Sequence, residues 1–336
     1  VYFNHGELFF MALVHGGQLQ QIAKNSAIPL SQWLDLSTGI NPNSYPIPVI
    51  PQDIWQQLPQ TNQELLTVAR HYYGTKHILA TSGSQSVISK LPLLYQDHIQ
   101  SQAQVWLPKV GYKEHEKSWQ EHGAKINHYH NLPTSEQLTP YAVVVVINPN
   151  NPSGQVCSQQ QLLTLLNDIE RLKGWLIIDE AFIDVMQANL SMIAYTDHPN
   201  LFVLRSVGKF FGLAGIRLGF LSANPKWLTL FNLACSPWEV NGPGQFVAQY
   251  ALADTQWQQQ QQRQLAQQAQ NLEALLLQYF NGPITGTHLF KTLYMADATQ
   301  YFTQLCQQGI YVRLCDEKNA LRFGIPNKQG LLKLEK

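Results

Sequence analysis

The sequence predicts an α/β protein in which a mostly parallel central sheet carries flanking helices and a smaller α/β domain is attached. Three apolar runs of strand length predict the centre of the sheet: Val143–Ile147, Trp175–Ile178 and Leu201–Leu204. Each run is followed by polar residues, which is typical of strands whose carboxyl ends form a ligand site in an open α/β sheet. The length of 336 residues and the hydrophobic content of 45% suit one large domain with a smaller one beside it.

The composition argues against several classes of partner. Lysine plus arginine and aspartate plus glutamate each number 22, so the formal net charge is zero and no basic field favours nucleic acid. No run of about 18 apolar residues predicts a membrane span. The four cysteines lack the C-x-x-C spacing of zinc or redox sites. We therefore expect no metal, reduced thiols and a cytoplasmic location.

The first ten residues, 1–10, precede Met11 and resemble no signal peptide, because they lack a basic segment and a cleavage site. We expect Met11 to be the natural initiator. Residues 1–10 are then expected to come from an upstream start or from an added segment.

A glycine-rich connection after the third apolar run carries a lysine and an arginine. Ser206-Val-Gly-Lys209 follows Leu201–Leu204, and Arg217 stands eight residues beyond the lysine. A lysine can form a Schiff base, while a serine hydroxyl and a guanidinium can hold a phosphate. This combination is typical of enzymes that use pyridoxal phosphate. Alone it is weak evidence, because S-x-x-K also marks an unrelated class of serine enzymes.

The residues that follow other predicted strands supply complementary chemistry. Asp179, directly after Trp175–Ile178, can keep a pyridine nitrogen protonated. Asn151, in the loop after Val143–Ile147, can donate a hydrogen bond to a phenolic oxygen and stabilise its ionised form. Tyr112 follows a further strand-like stretch and can stack on an aromatic ring. The sequence therefore predicts that several groups suited to one cofactor meet at one edge of the sheet.

The segment Thr81–Gln85 predicts an anion site. It connects residues 77–79 to the apolar stretch 87–94, so we predict a loop that enters a helix. Free N–H groups and the helix dipole make such an N-terminus suitable for a phosphate. The candidates in this segment are Gly83, Ser84 and Gln85.

Together these motifs resemble the fold type I pyridoxal 5'-phosphate (PLP) enzymes, within the class I/II aminotransferase superfamily. N-x-N-N-P-[ST]-G, D-E-A-[FY] and S-x-x-K-x7-R occur here in the order and spacing of that superfamily, and the resemblance covers nearly the full length. It implies PLP fold type I, like aspartate aminotransferase, with a smaller discontinuous domain. It also implies a small-molecule substrate and a homodimer.

The resemblance carries roles for individual residues. It implies that Lys209 is the Schiff-base lysine, Asp179 the pyridinium partner and Asn151 the phenolate donor. The remaining roles are a phosphate site at Ser206, Arg217 and Ser84, a stacking role for Tyr112, and an α-carboxylate site at Arg322.

The N-terminal region is more discriminating and resembles the threonine-phosphate decarboxylases of cobalamin biosynthesis. The resemblance rests on His15-Gly-Gly17, residues 28–42, Gly83-Ser-Gln85 and Gly111–His115. Those enzymes, relatives of histidinol-phosphate aminotransferase, convert L-threonine O-3-phosphate to (R)-1-amino-2-propanol O-2-phosphate and CO2. The resemblance implies that the bound amino acid lies beside Gly39 and Asn41, and its phosphate near His15 and Gly16.

Two alternatives stay open. The bond to Cα that breaks depends on how the substrate is oriented, and motifs do not report this, so an aminotransferase of the histidinol-phosphate type is the first alternative. A catalytically silent PLP-binding module is the second. Retention of Lys209, Asp179, Asn151 and Arg217 argues against it.

Three positions depart from the superfamily pattern. Phe182 replaces the tyrosine of D-E-A-Y and cannot donate a hydrogen bond to the phenolic oxygen. Gly208 stands where many aminotransferases have a serine or threonine that contacts the phosphate. Leu58 aligns near a tyrosine that many relatives send to the neighbouring subunit's cofactor. Leucine cannot supply the hydroxyl of that cross-subunit contact.

Three segments are expected along the chain. Residues 1–40 form an N-terminal segment that packs on the small domain, residues 41–240 the large PLP-binding domain, and residues 241–336 the C-terminal small domain. The glutamine-rich residues 256–270 could be a disordered tract, but alanines and leucines at helical spacing favour a long exposed helix. The active site is expected in the cleft between the domains.

Overall fold

The computed structural model describes residues 15–24, 26–99 and 101–335, so the expectations for residues 1–10 and Met11 lie outside the described residues. The strands are β1 (Leu34–Asp35), β2 (Leu79–Thr81), β3 (Gln104–Pro108), β4 (Lys125–Tyr129), β5 (Val143–Ile147), β6 (Trp175–Asp179), β7 (Leu201–Ser206), β8 (Gly219–Ala223), β9 (Ile284–Gly286), β10 (Phe290–Tyr294), β11 (Ile310–Tyr311), β12 (Arg313–Leu314) and β13 (Ala320–Gly324). The helices are α1 (Leu19–Ala23), α2 (Gln52–Gln56), α3 (Gln63–Tyr73), α4 (Ser84–His98), α5 (Lys113–Glu121), α6 (Gln159–Arg171), α7 (Val207–Phe210), α8 (Pro225–Leu233), α9 (Gly242–Ala253), α10 (Thr255–Tyr279), α11 (Ala298–Gln307) and α12 (Lys328–Leu334). Across the described ranges, no helix combines the length and apolar character that a membrane span needs.

The central sheet has seven strands in the order β2-β8-β7-β6-β5-β3-β4. Strand β8 runs antiparallel to β2 and β7, and the remaining pairs are parallel. Strands β5, β6 and β7 are buried along their whole length, as expected of parallel strands covered on both faces. The predicted α/β class with a mostly parallel sheet is confirmed.

Alternate side chains of β5 enter two different cores. Val144 and Val146 pack into a core shared with α6 and α9. Val143 and Val145 pack into a second core, which contains Leu91 of α4. Because successive side chains of a strand point to opposite faces, an unbroken apolar run requires helices on both faces of the sheet.

A smaller unit combines the N-terminal strand with the C-terminal part of the chain. Strands β12, β13, β10 and β9 form an antiparallel sheet in that order, and β1 pairs in parallel with β11. The Leu36 N–H donates to the Tyr311 carbonyl at 2.7 Å, and the Leu36 carbonyl accepts from the Gly324 N–H at 2.6 Å. The two ends of the chain therefore share one core, while the division into residues 1–40, 41–240 and 241–336 stays a prediction.

Helix α10 contains the glutamine-rich segment and joins the two units. The expected helix is present, but it is not exposed all round, because Gln258 and Gln261 are buried. Leu265 enters the core beside the central sheet, whereas Ala269 and Leu272 enter the core of the smaller unit. One helix thus contributes to both cores.

A buried charge cluster lies beside the carboxyl end of β6. Arg205, on β7, donates to Glu180 Oε2 at 2.9 Å and to Asp184, and all three side chains are almost fully buried. Burial raises the pKa of Glu180. The guanidinium also lies 4.3 Å from the centre of the Tyr73 ring. A single cation therefore compensates two buried carboxylates.

Removal of that cation is expected to destabilise the protein strongly. Arg205→Leu leaves Glu180 and Asp184 buried without a positive partner, which costs about 3–5 kcal/mol. We expect a lower midpoint of urea unfolding at pH 7. The difference in urea midpoint between the variant and the wild type is expected to shrink at acidic pH. A buried carboxyl whose folded pKa is raised lowers the stability of the protein as pH rises, and this cost disappears when the carboxyl is protonated. Arg171→Leu, at an exposed ion pair, is the control and is expected to change the midpoint little. An unchanged midpoint for Arg205→Leu contradicts the prediction.

Candidate active site

A cavity of about 210 Å³ lies at the carboxyl ends of the central strands and reaches the smaller unit. Of the residues predicted for the site, it is lined by His15, Gly16, Gly39, Gly83, Ser84, Gln85, Tyr112, Asn151, Asp179, Ser206, Lys209, Arg217 and Arg322. The predicted residue that does not line it is Asn41. A larger groove of about 1040 Å³ on the far side of the Asn148–Gly154 loop contains none of the predicted side chains. The chemistry therefore lies together in the smaller cavity.

Lys209 stands on the short helix α7, directly after β7. Its amino group lines the cavity, and Nζ lies 5.5 Å from the centre of the Phe182 ring. Burial lowers the pKa of Lys209 to about 8, with a further lowering from the Arg322 guanidinium. Lowering the pKa increases the fraction of the lysine that is neutral near neutral pH, and the neutral amine is the form that acts as a nucleophile or base.

Asp179 ends β6 and is held by two hydrogen-bond donors. Its Oδ1 accepts from the Ala181 N–H at 3.0 Å, and its Oδ2 lies 3.0 Å from His115 Nε2. His115 is buried on α5. Sequence reasoning did not assign it a role, although its position three residues after Tyr112 was a usable signal. The pair fixes the direction in which the Asp179 carboxylate faces the cavity.

The predicted anion site forms around the N-terminus of α4. Gly83 precedes Ser84 and has a φ of 79°, and a Cβ at Gly83 would lie 2.9 Å from Arg217 Nη2. The left-handed backbone favours glycine there, and a larger residue would also displace the guanidinium from its present position. Ser206, at the end of β7, lines the same region of the cavity. Free backbone N–H groups, hydroxyls and a guanidinium thus lie together, which suits a phosphate.

The structure gives a reason for the glycine at 208. A Cβ on Gly208 would lie 2.9 Å from the Ala214 Cα, so a serine or threonine would require the backbone to move. The serine or threonine whose hydroxyl contacts the cofactor phosphate in many aminotransferases therefore does not fit this turn.

Two arginines line the side of the cavity formed by the smaller unit. Arg322 and Arg313 are direct partners in the β12–β13 pairing. Arg322 donates to Asn151 Oδ1 at 2.5 Å and to the Ser37 carbonyl at 2.6 Å. Burial and the neighbouring Arg313 lower the pKa of Arg322 to about 9. Arg313 is a site residue that sequence reasoning missed, because it was read only as part of a strand.

The remaining predicted substrate residues have different positions. A Cβ at Gly39 would lie 2.8 Å from Phe182 Cε1, so the glycine leaves room for that ring. Asn41 lies outside the cavity, where its Nδ2 donates to the Phe210 carbonyl at 2.8 Å and its N–H donates to the Lys209 carbonyl at 3.0 Å. Asn41 therefore supports the backbone of the lysine helix and does not line the site.

The predicted stacking residue belongs to a chain of hydrogen bonds. The Tyr112 hydroxyl donates to Gln85 Oε1 at 3.1 Å, Gln85 Nε2 donates to Glu114 Oε2 at 3.0 Å, and Glu114 Oε1 lies 2.6 Å from His15 Nε2. Burial, and then the charge of Glu114, raise the pKa of Tyr112 to about 12. Glu114 was not among the predicted site residues.

A family model described as aminotransferase class I and II matches residues 53–330. The chain belongs to this aminotransferase family. A threonine-phosphate decarboxylase from Pseudomonas aeruginosa is 38% identical to it over 94% of this chain and 93% of the relative.

Solved structures agree with the fold. A histidinol-phosphate aminotransferase from Sinorhizobium meliloti, in complex with pyridoxal-5'-phosphate, superposes with a TM-score of 0.78 at 18% identity, covering 97% of this chain and 94% of the other. An L-threonine-O-3-phosphate decarboxylase from Porphyromonas gingivalis superposes with a TM-score of 0.72 at 16% identity, covering 89% and 96%. This aminotransferase-family chain therefore has the predicted fold type I architecture.

Proposed function

We propose that this aminotransferase-family chain is a PLP-dependent enzyme that decarboxylates L-threonine O-3-phosphate to (R)-1-amino-2-propanol O-2-phosphate and CO2. The product is the linker used in cobalamin biosynthesis. The observation that carries the proposal is the 38% identity to a threonine-phosphate decarboxylase over nearly the full length of both chains.

The side chains of the cavity fit PLP. The phosphate fits the N-terminus of α4 with Arg217, the ring nitrogen fits the Asp179 carboxylate, and the aldehyde fits the buried amine of Lys209. When bound, the cofactor draws electrons from the Cα of an attached amino acid, so that a bond to Cα can break. Asp179 holds the proton on the ring nitrogen, and Lys209 Nζ holds the proton that Cα receives after CO2 leaves.

The two arginines fit the two anionic groups of the proposed substrate. Arg322 is oriented by Asn151 and the Ser37 carbonyl, and we propose that it binds the α-carboxylate. Arg313 is its direct neighbour in the sheet and supplies a second positive charge for the substrate phosphate. We propose that Gly39 lies against the bound amino acid, and that Gly16 lies near its phosphate. A doubly anionic substrate would offset the repulsion between the two guanidinium groups.

Turnover without a keto acid tests the proposal. PLP-loaded protein is incubated with L-threonine O-3-phosphate alone, and CO2 and aminopropanol phosphate are both measured. Release of both in equal amounts supports the decarboxylase. If neither appears and histidinol phosphate with 2-oxoglutarate yields glutamate, the chain is an aminotransferase. Bound PLP whose absorbance does not respond to either substrate supports the silent module.

The lowered pKa of Lys209 predicts a pH dependence of cofactor uptake. Only the neutral amine attacks an aldehyde, so the rate at which cofactor-free protein takes up PLP is expected to rise with pH and to level off above about pH 8. Arg322→Met removes a cause of the lowering, so the midpoint is expected to move to higher pH. Stopped-flow absorbance measures the rate of PLP uptake by the wild type and by Arg322→Met as a function of pH. A wild-type rate that still climbs at pH 10, as for an exposed lysine, contradicts the prediction.

We propose that the chain forms a homodimer through an exposed apolar face around α2 and α9. Trp55, Leu58, Trp238 and Tyr250 are all exposed on or next to these helices, which contact each other. Large exposed apolar side chains in one region are typical of a subunit interface. Sedimentation velocity is expected to give twice the chain mass for the wild type and the chain mass for Trp55→Glu. A monomeric wild type overturns the proposal.

We propose a cytoplasmic location. The four cysteines, Cys157, Cys235, Cys306 and Cys315, all lie in described parts of the chain and are unpaired there. Free thiols are typical of a reducing compartment. Cell fractionation tests this, and recovery with periplasmic markers would contradict it.

A further inference from the structure

Glu114 contacts two cavity-lining residues that belong to different segments of the chain. It lies in the first turn of α5, and its carboxylate is 15% exposed. Oε2 accepts from Gln85, on the wall where the cofactor phosphate fits, and Oε1 contacts His15 at 2.6 Å. Both carboxylate oxygens are therefore used, each toward a different element.

His15 belongs to a segment fixed to the smaller unit. The strap, defined as residues 15–17, packs its Gly16 so closely on the Ser37 carbonyl that a Cβ would lie 2.2 Å from that oxygen. The Gly17 N–H donates to Ser37 Oγ at 2.7 Å. The same Ser37 carbonyl accepts from Arg322. The strap and Arg322 thus share one support, the Ser37 carbonyl.

We propose that Glu114 is a positioning residue that holds the His15 imidazole over the anionic end of the substrate. The inference rests on the proposed function. The imidazole lies in the wall of the same cavity as Arg313 and Arg322, and its side chain is 33% exposed, so it stands where the cavity meets solvent. A carboxylate accepting from Nε2–H fixes the ring and directs Nδ1 away from Glu114.

The chemistry of the contact predicts what a neutral replacement does. Glutamine at position 114 has one acceptor oxygen, which can still accept a hydrogen bond from Gln85 Nε2. Its amide nitrogen then faces Nε2 of His15 and cannot accept the proton that the carboxylate accepted. The ring must therefore either move or take the tautomer that accepts at Nε2, and in both cases its contact to a carboxylate is lost. The contact to the cofactor side is kept, while the contact to the strap is lost. Glu114→Gln therefore separates positioning of the strap from cofactor binding.

The experiment uses the PLP-loaded protein and L-threonine O-3-phosphate. Glu114→Gln is expected to raise KM about tenfold, equivalent to about 1.4 kcal/mol, with kcat within about twofold and the cofactor absorbance unchanged. Glu114→Asp keeps the charge and is expected to restore part of the loss. His15→Ala is expected to raise KM similarly, and the double variant to add little, because both changes remove one contact.

Glu116→Gln is the matched control, because Glu116 lies on the same helix but pairs with Lys113 and His128 outside the cavity. It is expected to leave KM unchanged. Additive effects of Glu114→Gln and His15→Ala, or a loss of kcat and cofactor absorbance without a change in KM, overturn the inference.

A second probe separates this inference from the proposed function. Calorimetric binding of inorganic phosphate to the PLP-loaded protein is expected to weaken about tenfold in Glu114→Gln and His15→Ala, and not in Glu116→Gln. If the wild type releases no CO2 but phosphate binding follows this pattern, the proposed function fails and the role of Glu114 stands. If the wild type turns over and neither KM nor phosphate binding changes, the role of Glu114 fails.

Discussion

Lys209→Ala is expected to reduce decarboxylation by about 10⁴-fold or more. The change removes both the amine that attaches the cofactor and the group that returns a proton to Cα, and proton transfer alone contributes on the order of 10²–10⁴-fold. The substitution leaves a small cavity at one buried side chain, so the fold is expected to persist. The measurement is the initial rate of CO2 release at saturating PLP and L-threonine O-3-phosphate.

Lys76→Ala is the control for this loss, because Lys76 is 80% exposed and pairs only with Asp197. It is expected to keep the wild-type rate. A second check adds a small primary amine to Lys209→Ala, which is expected to restore a fraction of the rate by supplying the missing base. If Lys209→Ala retains more than a tenth of the wild-type rate, another group performs the proton transfer and the role given to this lysine is wrong.

Asp179→Asn is expected to reduce the rate by on the order of 10²–10⁴-fold. Asparagine has nearly the same shape, so the Ala181 N–H can still donate to its oxygen, but the negative charge that holds a proton on the ring nitrogen is lost. Cofactor binding through Lys209 and the anion site remains. The expected result is therefore a PLP-loaded protein that turns over slowly, measured by CO2 release together with the cofactor content.

His115→Phe provides a graded comparison with Asp179→Asn. It removes one hydrogen bond to the carboxylate and leaves the charge and the Ala181 contact in place. We expect a loss much smaller than that of Asp179→Asn. Equal losses would mean that the charge of Asp179 is not the decisive property, and that the Asp179–His115 pair acts as a unit.

The central part of the fold could be predicted because its signals are local. The runs that became β5, β6 and β7 are unbroken and apolar, and a strand buried on both faces leaves that pattern in the sequence itself. Polar residues that follow such strands lie at one edge of the sheet. The sequence alone therefore places Lys209 and Asp179 near each other.

Other site residues could not be found in this way. Arg313 and Glu114 occur in ordinary strand and helix contexts. Only the tertiary arrangement brings Arg313 to the cavity and Glu114 to the lining residues Gln85 and His15. The converse applies to Asn41, which stands two residues from Gly39 in sequence but directs its side chain to the Phe210 carbonyl. Contacts between distant segments have no periodicity that a sequence pattern can report.

The glutamine-rich helix illustrates a limit of composition. Long glutamine runs are typical of disordered tracts, yet the buried Gln258 donates to the Ala251 and Leu252 carbonyls at the end of α9. Those hydrogen bonds satisfy a buried amide that composition alone would place in solvent. The leucines at helical spacing were the more reliable signal, because they report which face is buried.

The pairing of β1 with β11 has a consequence for the newly made chain on the ribosome. The ribosome makes Leu34 and Asp35 long before their partners Ile310 and Tyr311, and it makes the strands of the central sheet in between. At about 5–20 residues per second, β1 waits on the order of tens of seconds for β11. Arg322 is made after β11. The lysine side of the cavity is therefore expected to assemble before the arginine side.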